Sequence, residues 1–104
     1  MTLDELYRTI QQRKGADTAT SYTAKLYAKG TAHIAKKVGE EAVEVAMAAT
    51  SQGKQEVIGE SADLLFHLLV LWSALGVEPA EVMRALEARK GVSGIAEKAN
   101  RKES

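Results

Sequence analysis

Apolar positions recur at helical spacing along most of the chain, and no window alternates with β-branched residues as a strand would. Leu3, Leu6, Tyr7 and Ile10 open the pattern. Thr2-Leu3-Asp4-Glu5 reads as a capping box, with Thr2 at the N-cap and Glu5 three residues on. Gly15 supplies a stop, and residues 15–20 form a small polar linker. Ser21 or Thr20 caps a short second helix that carries Tyr22 and Leu26 and ends at Gly30. Thr31 caps a third, which runs to about Thr50, and Ser51-Gln52-Gly53 is a turn. The fourth helix runs from about Lys54 to Leu75, with Gly76 at its stop and Val77 as the apolar residue behind it. Pro79, tolerated in a first turn, opens a fifth helix with Val82, Met83 and Leu86 that reaches Gly91. The polar and charged stretch from Ser93 to Ser104 is expected to fray. The expected fold is all-α: a bundle of about five helices over residues 1–91, with a polar tail over 92–104.

The fourth helix carries Leu64, Leu65, Leu68, Leu69, Val70, Leu71, Trp72 and Leu75 around most of its circumference. A helix apolar all round is buried all round, and a chain of 104 residues has few helices to cover it. A second copy is therefore expected, as a homodimer. The competing reading places this helix at the centre of the monomer.

Composition then narrows the function. The 14 Lys+Arg balance 14 Asp+Glu, so there is no basic footprint for DNA or RNA. The absence of Cys excludes disulfides, thiolate metal sites and a thiol nucleophile. Two His are too few for a His-rich zinc site. The N-terminus is acidic and lacks the apolar run of a signal peptide. Leu64 to Val77, the longest stretch free of Lys, Arg, Asp and Glu, is shorter than the roughly 20 residues that span a bilayer. A cytoplasmic setting, with neither membrane nor nucleic-acid partner, is the expectation.

The candidate chemistry lies in the acids. Glu41 and Glu44 on the third helix, and Glu60 and Asp63 on the fourth, each form an i,i+3 pair. Such a pair shares one helix face, about 5–6 Å apart at Cβ, where like charges repel. The turn at Gln52 makes the two helices antiparallel. It sets Glu44 level with Glu60 and Glu41 level with Asp63, roughly 12 Å or more from the turn at 1.5 Å per residue. Apolar neighbours (Val38, Ala42, Val45 and Met47 on one helix, Leu64, Leu65 and Leu68 on the other) place the four acids close to the packed face. Four negative charges there require a counter-cation, and an all-oxygen donor set suits Mg²⁺ or Mn²⁺. Magnesium commonly completes its shell with substrate phosphates, which points to phosphoanhydride or phosphate-ester chemistry. An exposed acidic stripe with i,i+4 partners is the bland alternative, but Lys37 with Glu41 accounts for one acid of the four. A di-iron site needs Glu-x-x-His on two helices, whereas His67 lies four residues after Asp63 and His33 follows no acid at that spacing. His67 reads instead as a buried partner of Asp63, and Trp72 and the tyrosines as core or interface.

Gly39 and Gly59 each precede an acid within a helix, at a cost of about 0.5–1 kcal/mol relative to Ala. Either a ligand or a packed helix comes close to the backbone there. Lys25, Lys29, Lys36 and Lys37 gather before the acidic motif and suit a polyphosphate as point charges. Lys37, one turn before Glu41, is the best placed, with Lys25 second.

The pattern Glu41-x-x-Glu44 followed by Glu60-x-x-Asp63 resembles the signature of the all-α nucleoside-triphosphate pyrophosphohydrolases, the MazG-like superfamily. A wider string narrows it further. Ser21-Tyr22-Thr23-Ala24-Lys25-Leu26, then Lys36-Lys37-Val38-Gly39-Glu40-Glu41-Ala42-Val43-Glu44-Val45, then Glu60-Ser61-Ala62-Asp63-Leu64-Leu65-Phe66-His67-Leu68 resembles the phosphoribosyl-ATP pyrophosphohydrolase family, over about Leu3 to Lys90. The resemblance implies an all-α homodimer that depends on Mg²⁺ and hydrolyses phosphoribosyl-ATP to phosphoribosyl-AMP and pyrophosphate, the second step of histidine biosynthesis. It implies that Glu41, Glu44, Glu60 and Asp63 hold the metal. Glu40 would be an outer ligand or the base that orients the water, and Lys37 and Lys25 would contact phosphates. Relatives are often fused to a cyclohydrolase with Cys and His zinc ligands; here that enzyme is expected to be a separate protein. Two other functions share these features: a house-cleaning pyrophosphohydrolase for noncanonical or deoxy nucleotides, and a non-enzymatic dimeric helical module with a structural cation.

Overall fold

Five helices follow in order, α1 (Leu3–Gln12), α2 (Tyr22–Lys29), α3 (Thr31–Ser51), α4 (Lys54–Leu75) and α5 (Pro79–Ala88), in a computed structural model that describes residues 1–90. No strand occurs among the described residues. The expected tail over 92–104 and the expected end of the fifth helix at Gly91 lie outside them.

The ends of the helices follow their local chemistry. The Thr2 hydroxyl accepts from the Glu5 N–H at 3.1 Å, and the Glu5 carboxylate accepts from the Thr2 N–H at 2.8 Å, closing the expected capping box. Ser21 caps α2 by accepting from the Ala24 N–H. Thr31 is the first residue of α3 rather than its cap. The reason is Gly30, which ends one helix and begins the next. Its N–H bonds to the Leu26 and Tyr27 carbonyls and its own carbonyl accepts from the Ile34 N–H. That requires φ of 95°, open to glycine and strained for other residues. α1 ends at Gln12, earlier than Gly15, which sits in the turn beyond at φ 83°. α3 runs one residue past Thr50. At the end of α4, the Gly76 N–H bonds to the Ser73 carbonyl and the Val77 N–H to the Trp72 carbonyl. This is the paired closure of a left-handed glycine stop.

The α3–α4 hairpin is the spine. α1 and α2 pack on α4, α2 also on α3, and α5 on α1. The core of Tyr7, Ile10, Leu26, Ile34, Leu69 and Val70 gathers at the end of the hairpin away from its turn. Polar anchors fix that end. The Tyr7 hydroxyl donates to the Val77 carbonyl at 2.7 Å, and Arg8 on α1 pairs with Glu78 before α5 at 2.7 Å.

The other half of the hairpin is bare. Val43, Met47 and Ile58 are each more than half exposed, and Leu65 is 43% exposed. Only His67, Leu69 and Val70 of α4 are buried, so the described residues do not cover the helix that the sequence marks as apolar all round. The shape agrees. The radius of gyration is 15.8 Å, against about 13 Å for a compact chain of this length. α4 is long and apolar enough to cross a membrane by length and composition, but it carries Glu60 and Asp63 and its buried residues belong to the bundle's core.

Candidate metal centre

The hairpin brings the two acidic pairs together between the core end and the bare end. One carboxylate oxygen from each of Glu41, Glu60 and Asp63 lies within 4.8 Å of the others. Glu41 and Glu60 are half-buried and Asp63 is exposed. Glu44 does not join that group of three and is exposed. Its charge is still felt there. Burial first, and then Glu44, Asp63 and Glu41, push the Glu60 carboxyl above the ordinary glutamate range. A carboxyl that resists ionisation beside three other acids is what a divalent cation would relieve.

The donor chemistry fits such an ion. Six-fold oxygen coordination at 2.0–2.1 Å puts neighbouring and opposite donors about 3 to 4 Å apart. The observed spread is slightly wider, within reach of a side-chain rotation. All donors are carboxylates, which suits magnesium or manganese rather than zinc. His67 is not among them.

Lys37 stands on the α3 side. Its Nζ lies 3.5 Å from the Glu40 carboxylate and 3.9 Å from that of Glu41. Tyr22 foremost, with Glu40 and Glu41 adding to it against the loss of solvation, raises the Lys37 ammonium above the usual lysine range. The expected pairing of Lys37 with Glu41 is therefore present. Glu44, Glu60 and Asp63 have no basic partner among the described residues, and no ion pair joins Lys25 to the acids. A Cβ added at Gly39 or at Gly59 would meet nothing within 4 Å. Packing of one helix on another among the described residues thus does not explain either glycine, and among them the face beside the acids is open.

Three aromatic rings from two helices meet beside the acids, and nothing in the periodicity pairs them. Tyr22, at the start of α2, stacks on Phe66 of α4 with ring centres 6.1 Å apart. Its hydroxyl meets His67 Nε2 at 2.8 Å. His67 is 6% exposed, and its Nδ1 meets the backbone carbonyl of Asp63 at 2.8 Å. The expected partnership of His67 with Asp63 thus runs through the main chain, and leaves the Asp63 carboxylate free for the acid cluster. Tyr7 and Tyr27 serve the core, as expected, whereas Tyr22 is half-exposed beside the acids.

The phosphoribosyl-ATP pyrophosphohydrolase family matches this chain over residues 3–90. Curated relatives bear the same activity in their names. The phosphoribosyl-ATP pyrophosphatase of Paramagnetospirillum magneticum is 60% identical over 99 residues, covering 95% of this chain and 91% of the relative. That of Azospirillum brasilense is 60% identical over 100 residues, covering 96% and 90%. That of Granulibacter bethesdensis is 56% identical over 99 residues, covering 95% and 62%.

Proposed function

The chain belongs to the phosphoribosyl-ATP pyrophosphohydrolase family, and from that premise we propose how it hydrolyses phosphoribosyl-ATP to phosphoribosyl-AMP and pyrophosphate, the second step of histidine biosynthesis. The observation that carries the proposal is the convergence of Glu41, Glu60 and Asp63 oxygens within 4.8 Å across two antiparallel helices.

Glu41, Glu60 and Asp63, with Glu44 on the adjacent turn, would hold Mg²⁺, or Mn²⁺ in its place. Such an ion supplies charge neutralisation at the phosphate oxygens and at the departing pyrophosphate. Lys37, next to Glu40 and Glu41, offers its ammonium to the polyphosphate as it arrives, and Lys25 on α2 offers a second charge. Glu40 projects about 100° round the helix from Glu41. There it accepts a proton from the attacking water and orients it in line with the α-phosphorus. The new P–O bond forms as the bond to the bridging oxygen breaks, and the bridging oxygen leaves with the pyrophosphate. The open backbone beside Gly39 and Gly59 lets phosphate oxygens approach both helices.

The same reading gives the protein a homodimeric state, with the bare half of the hairpin as the contact. It also gives a cytoplasmic location beside its nucleotide substrate. Pyrophosphate release from phosphoribosyl-ATP, ATP and a panel of deoxynucleoside triphosphates, with Mg²⁺ or EDTA, tests the assignment. Release from phosphoribosyl-ATP alone, abolished by EDTA, is the expected result. Release from the triphosphates instead would move the enzyme to nucleotide house-cleaning. No release from any substrate would leave the acids with a structural cation only.

A further inference from the structure

Five residues of the chain are aromatic: Tyr7, Tyr22, Tyr27, Phe66 and Trp72. Tyr7 is fully buried, and Tyr27 packs on the core with its hydroxyl tied to Ser73. Trp72 lies nine residues past Asp63, roughly 13 Å along α4 at 1.5 Å per residue. Tyr22 differs from all of them, being 51% exposed and yet firmly held. The Ser21 cap, accepting from the Ala24 N–H at 3.1 Å, fixes the turn of α2 from which its side chain leaves. Phe66 backs one face of the ring, with centres 6.1 Å apart and planes 27° apart, within the range of stacked pairs. His67 stands edge-on at 5.7 Å. Its Nδ1 faces the Asp63 carbonyl, which only accepts, so in the neutral ring Nε2 accepts from the Tyr22 hydroxyl at 2.8 Å. Asp63, Phe66 and His67 stand at i, i+3 and i+4 and share one face of α4. The tyrosine therefore rests about one helical turn, roughly 5 Å, beyond the Asp63 carboxylate toward the core end of the hairpin.

We propose that the uncovered face of Tyr22, backed by Phe66, is the platform on which the purine of the bound nucleotide stacks. The inference rests on the reading of the acids as the centre that holds the substrate's phosphates. With the phosphates there, the nucleoside must leave the acids on one side or the other. Toward the hairpin turn the exposed side chains are aliphatic (Val43, Met47, Ile58) and offer no ring. Toward the core end stands Tyr22. Stacking on an aromatic side chain suits any base, because every base has a π-face. Tyr22 thus contributes affinity and places the α-phosphorus relative to the acids, without choosing between bases. A tyrosine has few rotatable bonds, and here they are already fixed, so little freedom is lost when the purine arrives. α2, which carries no acid of the site, takes part in this way.

Tyr22→Leu keeps apolar bulk and removes the π-face, whereas Tyr22→Phe keeps the ring and removes the hydroxyl. Steady-state kinetics with phosphoribosyl-ATP, and calorimetric binding of inorganic pyrophosphate with Mg²⁺, separate the base from the phosphates. Tyr22→Leu is expected to raise KM for phosphoribosyl-ATP by about 5- to 150-fold, the range for loss of a base-stacking aromatic, and to leave the affinity for pyrophosphate unchanged. Tyr22→Phe is expected to lose far less. An unchanged KM in Tyr22→Leu would overturn the proposal. So would an equal loss of pyrophosphate affinity, which would place the effect at the metal centre, or a loss as large in Tyr22→Phe, which would assign it to the hydroxyl. A second measurement needs no folded variant of Leu. In the wild-type protein the Tyr22 ring protons, identified by their absence or change in Tyr22→Phe, are expected to move upfield by NMR when phosphoribosyl-AMP binds and to stay in place with Mg²⁺–pyrophosphate. Identical shifts with both ligands, or none with either, would overturn the stacking. A wild type that hydrolyses deoxynucleoside triphosphates and leaves phosphoribosyl-ATP intact would overturn the substrate assignment instead, and the same comparison against pyrophosphate then judges Tyr22 on that nucleotide.

Discussion

Glu60 is where the electrostatics of the site are written most plainly. Burial first, and then Glu44, Asp63 and Glu41, raise its carboxyl above the ordinary range. The folded chain therefore holds that proton more tightly than the unfolded chain does. The resulting stability is complete below the unfolded pKa and is lost as pH rises through the folded one. Glu60→Gln carries no charge to repel. In EDTA at pH 7 it is expected to melt above the wild type, and the two curves converge as pH falls through the carboxylate range. Mg²⁺ reverses the order, since an ion bound only by the folded state stabilises it and the amide is the poorer donor. Thermal melts across pH, with and without metal, check both halves. A Gln variant that melts below the wild type in EDTA would contradict the like-charge account. Activity gives a second residue-scale expectation. Loss of a group that merely supports a metal ligand costs about 10–100-fold, so Glu41→Gln and Asp63→Asn are expected to lower kcat/KM by at least about 100-fold while the helices persist by circular dichroism.

The glycines separate two roles at the level of single helices. Gly76 closes α4 at φ 75° with nothing near its Cβ position. Gly76→Ala therefore loses backbone freedom alone, and is expected to cost about 1–2 kcal/mol, read as a lower denaturant midpoint with the slope unchanged. Gly39 has ordinary helical backbone and the same open surroundings. Gly39→Ala is expected to stabilise α3 by about 0.5–1 kcal/mol and yet to lower kcat/KM, because a methyl group then stands where phosphate approaches. A variant both more stable and fully active would remove Gly39 from the site. These elements also show what the sequence makes legible. Capping chemistry at Thr2, Ser21 and Gly76 and the hairpin register that aligns Glu41 with Asp63 are local or helical-period signals, and the structure carries them. The junction at Gly30 was less legible, because one glycine there ends α2 and begins α3, which makes Thr31 a first-turn residue rather than a cap. The docking of α2 was not legible. Tyr22 and His67 are 45 residues apart in sequence, and nothing periodic links a tyrosine on one helix to a histidine on another.

At the scale of the whole molecule, the imbalance between the two ends of the hairpin asks for a partner. One end is closed by α1, α2 and the residues around Val70, while Val43, Met47, Ile58 and Leu65 face outward from the other. Several large apolar side chains left bare on adjoining helices are characteristic of an interaction surface. The expectation of a fourth helix buried all round is unmet among the described residues, and a second copy is the simplest way to meet it. A two-fold pairing of the hairpins would put both copies' bare residues against each other, as a self-complementary interface requires. It would also place the acids near the contact, so assembly and catalysis are expected to be lost together. Sedimentation equilibrium is expected to give about twice the chain's 11.2 kDa. Met47→Lys sets a charge on this face away from the core, and is expected to shift the protein toward monomer and to lower its melting temperature at fixed concentration. Because the dimer is populated by mass action, raising the variant's concentration should recover both assembly and activity along one curve. Activity that is insensitive to the loss of the dimer would show that each hairpin is complete on its own, and would confine the bare face to stability.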